Sequence, residues 1–162
     1  MAAYDESLLE EVRDDPETLG YAALTAANND EAVAALLNET MMAVVGEISR
    51  SDLATWAAAT GMRAKIEDVS KDAESPLRSS ALAIIDVLKG ASAGIDLAKP
   101  TNMGILDAWE SATLLSAEDK AAFVALATHD TPRSVVLFGK LVTANDVARV
   151  VRDDLGNSLL GA

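Results

Sequence analysis

The sequence predicts an all-α protein, a single compact multi-helix domain of about six to eight short helices with at most minor extended segments. Three observations support this. Half of the residues are hydrophobic but only 4% are aromatic, and much of that half is alanine, the best helix former. Apolar residues recur at spacings of three and four, the period of a helix with one buried face. Capping residues, prolines and glycines punctuate the chain at helical lengths. A chain of 162 residues can bury roughly two-thirds of its unfolded surface around one core. The expected layout is therefore a helical domain over residues 1–154 and a C-terminal tail over 155–162.

Tyr4 to Arg13 reads as a short helix, with Leu8, Leu9 and Val12 on one side and Asp5, Glu6, Glu10 and Glu11 on the other. Asp15-Pro16 stops it, because a residue before proline is pushed out of the α region, and Gly20 permits a turn into Tyr21. Asp30 is placed to cap a helix through Val33, Leu36 and Leu37 that ends near Asn38. Met41 to Val45 fits either a helix or an extended segment, and Gly46 weakens both readings. Ser51 is placed to cap a helix through Leu53, Trp56 and Ala57, which Thr60-Gly61 ends before a further turn or two over Ala64 to Lys71.

The clearest helix starts at Ser75-Pro76 and ends at Gly90, with Leu77, Ala81, Ile84, Ile85 and Leu88 as its apolar stripe. Ala91 to Lys99 reads as a loop. Pro100-Thr101 opens the next helix, whose buried side is Ile105, Leu106, Trp109 and Ala112. Ser116 to Asp119 is close to a capping box and precedes Ala122, Phe123 and Leu126. Thr131-Pro132 repeats the cap-and-proline signal before Val135 to Phe138, Gly139 ends that piece, and Thr143 caps a last helix through Val147, Ala148, Val150 and Val151. The tail is either frayed or docked on a neighbour, with Leu155, Leu159 and Leu160 favouring docking.

Charge and composition exclude several functions. A net charge of −13 opposes binding to a phosphate backbone, which requires clustered Lys and Arg, so no nucleic-acid partner is expected. A final helix offering Arg149 and Arg152 against Asp146, Asp153 and Asp154 is a poor recognition helix. The absence of cysteine removes disulfides and thiolate chemistry. Met1 to Glu11 is acidic, unlike a secretory signal, and no apolar run approaches the roughly 18 residues of a membrane span, so a soluble chain with no membrane partner is expected.

No catalytic set, metal site or cofactor site is expected. His129, the sole histidine, stands beside Asp130 with Ser134 nearby, but sequence proximity is not triad geometry, and it reads as a loop histidine. Glu10, Glu11, Asp14, Asp15 and Glu17, and again Asp153 and Asp154, lack the alternating spacing of a calcium loop and read as solvated surface. Trp56 and Trp109 read as core. Gly90, Gly94 and Gly104 do not form a phosphate-binding loop. The candidate partner contacts are Met41, Met42, Val44 and Val45, where adjacent methionines can adapt to a partner, and Leu155, Leu159 and Leu160 of the tail. The competing reading of the methionine run is ordinary core.

Several segments carry a resemblance. Asp15-Pro16, Leu19-Gly20-Tyr21-Ala22 and Ala34-Ala35-Leu36-Leu37-Asn38 stand in the first part of the chain. Ala117-Glu118-Asp119, Arg133-Ser134, Leu137-Phe138-Gly139, Val142-Thr143 and Asp146-Val147-Ala148 stand in the second. Together they resemble a group of small proteins encoded among the virion genes of tailed bacteriophages. The resemblance implies a non-enzymatic structural or accessory role in the capsid, neck or tail. Its partners would be other virion structural proteins and copies of itself, and its location the virion, with the host cytoplasm during assembly. The alternative is a soluble assembly chaperone or adaptor that the finished particle does not retain. No site residues carry over from the resemblance.

Overall fold

The computed structural model describes residues 3–152 and 158–160. These residues are 63% helical, as the composition implied, but they are not purely α. Ten helices and four short strands follow one another, with β1 and β4 forming one two-stranded ladder and β2 and β3 another. In place of the one expected core, the buried residues form two clusters. Two units correspond to them, one built from residues 1–44 and 130–162 and the other from Val45–His129.

Unit 1 begins with α1 (Ala3–Asp14), which buries Leu8 and Val12 as expected. At the stop, Asp15 takes a left-handed φ of 40°. Its carboxylate accepts the backbone N–H groups of Leu19 at 2.6 Å, Gly20 at 2.7 Å and Tyr21 at 3.3 Å. It thereby caps α2 (Tyr21–Ala26), whose own N-cap, Gly20, has no side chain to do so. This six-residue helix is not legible from periodicity. In α3 (Asp30–Glu39) the cap is Asn29 rather than Asp30, and Val33, Ala34 and Leu37 are buried. Asn38, instead of ending the helix, donates to Val142 O at 2.8 Å and accepts from Val142 N at 3.0 Å.

Met41 to Val45, ambiguous in sequence, is strand β1 (Met41–Val45). β4 (Thr128–Pro132) absorbs the expected cap at Thr131, so α9 (Arg133–Phe138) starts from Pro132. Gly139 ends α9 in the left-handed region at φ 72°, as expected. α10 (Ala144–Val151) has the full reciprocal box between Thr143 and Asp146 and buries Val147, Val150 and Val151.

Unit 2 contains β2 (Glu47–Ser49), α4 (Arg50–Ala59), α5 (Met62–Lys71), α6 (Arg78–Leu88), β3 (Gly94–Asp96), α7 (Pro100–Ser111) and α8 (Ala117–Ala127). The caps shift from three expected places. Ser49, not Ser51, caps α4. Ser75 accepts from Leu77 N in a turn, and α6 starts only at Arg78. Lys99 precedes Pro100 at the start of α7, so Thr101 lies inside the helix. Ser116 caps α8 as expected, but the buried pair there is Phe123 and Ala127, while Leu126 is exposed.

The expected loop from Ala91 to Lys99 contains β3, paired antiparallel with β2 so that Ile48 faces Ile95. Gly94 is required in that ladder, because a Cβ there would come within 2.2 Å of Ile48 O. Trp56, Trp109, Ile48, Met62, Ile66 and Phe123 are among the buried residues. Trp109 satisfies its indole N–H on Ser80 Oγ at 2.7 Å, so its polar edge is not left unmade.

Ala81 and Ile84 are the buried positions of α6. Placing a charge there removes packing and buries an unpaired carboxylate, each costing several kcal/mol. Ile84→Asp is expected to abolish or strongly lower the thermal transition of unit 2 in calorimetry. A variant melting within a degree of the parent would show that Ile84 lies outside the core.

Candidate interaction surface

In unit 1, local sequence dictates that Arg133 follows Pro132 at the first position of a short helix, with its N–H free of intrahelical bonding. That N–H donates to Thr40 O at 2.8 Å. The guanidinium meets Glu11 through two bonds, Nε to Oε1 at 2.8 Å and Nη2 to Oε2 at 3.2 Å, with both side chains almost wholly buried. Nη1 lies 3.7 Å from Met42 Sδ and 3.8 Å from the exposed Glu17 carboxylate. The hydrogen bonds and charge of Glu11 hold the Arg133 pKa above its ordinary value against the opposing effect of burial. Burial and the nearby Glu11 carboxylate push the Tyr21 hydroxyl the same way, and that hydroxyl donates to Glu11 Oε1 at 3.4 Å.

Two further contacts follow the same plan. Arg152 forks onto both oxygens of Asp30, with Nε to Oδ2 at 2.7 Å, and Arg149 Nη2 donates to Asp5 at 2.7 Å and Asp146 at 3.1 Å. The two arginines of the last stretch are thus engaged with carboxylates of the N-terminal segment. At Asp146 burial acts to raise the pKa, but the Thr143 hydroxyl and N–H, Lys140 and Arg149 outweigh it and hold the carboxyl below its usual range.

With Ser134 and Phe138 turned inward, four apart on α9, Val136 and Leu137 are left on the outside. The sequence placed Val135 to Phe138 on a short helix without dividing its buried from its exposed side. Ser134 Oγ is fully buried without a hydrogen-bond partner among the described residues, and His129 is exposed in β4 rather than in a loop. A buried hydroxyl cannot serve as an accessible nucleophile. The His129 ring instead covers Gly46, where a Cβ would lie 2.8 Å from Cε1.

The described candidate contact residues differ in exposure. Met41 is 56% exposed and Met42 half-buried, and both line a hollow with Leu19, Thr40 and Arg133. Val44 is half-buried, while Val45 packs against the core of unit 2. Leu155, with Asp153 and Asp154, lies outside the described residues. Leu160 packs on the core of unit 1, following an antiparallel bridge between Arg152 and Ser158, so this part of the tail docks on its own chain. Leu159 is exposed. Sequence reasoning missed Val136, Leu137 and Leu141, the last of these 57% exposed. The signal available was Arg133-Ser134 opening an apolar helix, a polar pair that claims one face.

The acidic run separates into different tasks, with Glu11 on Arg133, Asp15 on backbone N–H groups and Asp14 on Arg13 at 2.7 Å. Among the described residues no group of three His, Cys, Asp or Glu side chains could hold a metal ion, and no helix is long and apolar enough to cross a membrane. Comparisons with known families, with characterised proteins and with solved structures find no match to this chain.

Removing one partner of a buried pair strands the other charge and costs about 3–5 kcal/mol. Arg133→Ala is expected to destabilise unit 1 by that amount in urea denaturation, and adding Glu11→Ala should restore part of the loss. Additive losses in the double variant would show the two groups to be energetically independent.

The depressed Asp146 pKa stabilises the fold fully above the unfolded carboxylate value of about 4. That contribution is lost as pH falls through the lower folded value. The Tm difference between the parent and Asp146→Asn should therefore shrink between pH 5 and pH 2. A constant difference would refute the linkage.

Proposed function

We propose that this chain is a non-enzymatic structural or accessory protein of a tailed-phage virion, acting by packing against other virion proteins or copies of itself. The observation that carries the reading is the set of large apolar side chains that unit 1 presents to solvent: Met41, Val136, Leu137, Leu141 and Leu159. Exposed apolar side chains favour association where a partner covers them, since covering them releases roughly 25 cal/mol per Å² before the cost of association. The resemblance supports the same reading. Its segments at Leu36-Leu37-Asn38, Arg133-Ser134 and Val142-Thr143 include residues that bond the two stretches of unit 1 together, and those at Asp15-Pro16 and Val142-Thr143 include residues that cap its helices.

The test is quantitative mass spectrometry of purified particles carrying the parent chain or a Leu137→Ser, Leu141→Ser variant. The parent should be present in fixed stoichiometry. The variant should fall by about tenfold or more while melting like the parent, because both side chains are exposed and surface changes usually alter stability by less than about 0.5 kcal/mol. Absence of the parent from particles would leave the assembly-chaperone reading in its place.

A further inference from the structure

Unit 2 contains a cavity of about 370 Å³ beside the β2–β3 ladder. Its floor is apolar, formed by the buried Ile84, Leu106 and Phe123, and the half-buried Ile95 extends the wall. That volume lies at the small end of ligand pockets and accommodates one large side chain.

The mouth has a different chemistry, with Glu47, Asp96 and Lys99 around it. Asp96 is internally committed, its Oδ1 accepting from Ala98 N at 3.0 Å and its Oδ2 lying 3.6 Å from Lys99 Nζ. Glu47 has no cationic partner among the described ion pairs. Its carboxylate is held close to Gly94, where a Cβ would meet Oε1 at 2.7 Å. Two carboxylates against one ammonium leave the mouth with one uncompensated negative charge, on a chain whose net charge is −13.

We infer that this cavity seats a large apolar side chain of a partner protein segment that carries basic residues on either side of that anchor. The floor takes the anchor by removing its surface from water, and Glu47 selects the flanking charge. Such an arrangement matches the anatomy of interface hot spots, in which a buried anchor fills a pocket inside a polar rim. The inference rests on the reading of the chain as a protein that works by packing against partners, and it assigns one side of that packing a sign of charge.

The probes are three capped pentapeptides added to the full chain. One has tryptophan between two lysines, one has tryptophan between two glutamates, and one has alanine between two lysines. Methyl NMR of Ile84, Ile95 and Ile105 gives the readout. The lysine–tryptophan peptide should shift these methyls with a dissociation constant of about 1 mM or tighter. The glutamate peptide should bind at least about fivefold more weakly, and the alanine peptide should leave the methyls unmoved. Glu47→Gln, a change at an exposed site, should erase the difference between the two tryptophan peptides, and Ala83→Trp at the mouth should block both.

Equal binding of the lysine and glutamate peptides, binding of the alanine peptide, or no shift at millimolar peptide would each overturn the inference. Because the measurement uses isolated protein, its failure is distinct from absence of the chain from particles, which bears on the proposed function alone.

Discussion

Glu11 and Arg133 are 122 residues apart in sequence, and they meet with almost no exposure to water. Closing so long a separation costs roughly 4 kcal/mol of chain entropy beyond a constant term. A buried ion pair contributes little net stability towards that cost, since desolvation offsets most of its attraction. The apolar residues around it, among them Leu8, Tyr21, Leu37, Val147 and Val150, supply the stabilisation. What the pair supplies is register. The two parallel bonds fix where α1 stands against the start of α9, because any slip strands a charge.

Once that separation is closed, the other long-range polar contacts of unit 1 close at little further entropic cost. Asn38 with Val142, Asp5 with Arg149 and Asp30 with Arg152 each join the N-terminal segment to the C-terminal one. All three arginines after Pro132 are used in this way. A chain with twice as many acidic as basic residues thus places its cations where they hold two segments together. The exposed Arg149 contact adds little net stability, because solvent screens it. Its contribution is to specify the docking of α10 more than to stabilise it.

Unit 2 is continuous in sequence and follows different physics. Its core contains both tryptophans and Phe123, with the Trp56 and Phe123 rings 4.6 Å apart. Its one ladder is three residues long on each strand, too short to stand without the helices packed over it. Gly94 and Gly46 are tight points, the first against Ile48 O and the second beneath the His129 ring. The cavity beside the ladder is lined by Ile84 of α6, Leu106 of α7 and Phe123 of α8.

What the sequence determined by itself was local. The caps at Ser116 and Thr143, the left-handed end at Gly139 and the stop at Asp15-Pro16 involve partners within a few residues. A cap three residues from its target is legible because chain connectivity already brings the two together. Where several candidates competed, as with Ser49 against Ser51 and Asn29 against Asp30, connectivity allowed each, and packing selected one. The strands at Met41–Val45 and Gly94–Asp96, the division into two cores and the inward turn of Arg133 were decided only by the tertiary structure. Each depends on a partner far along the chain. The same β-branched or apolar run is core or surface according to which distant group arrives, and on α9 the inward turn of Arg133 and Ser134 leaves Val136 and Leu137 outside.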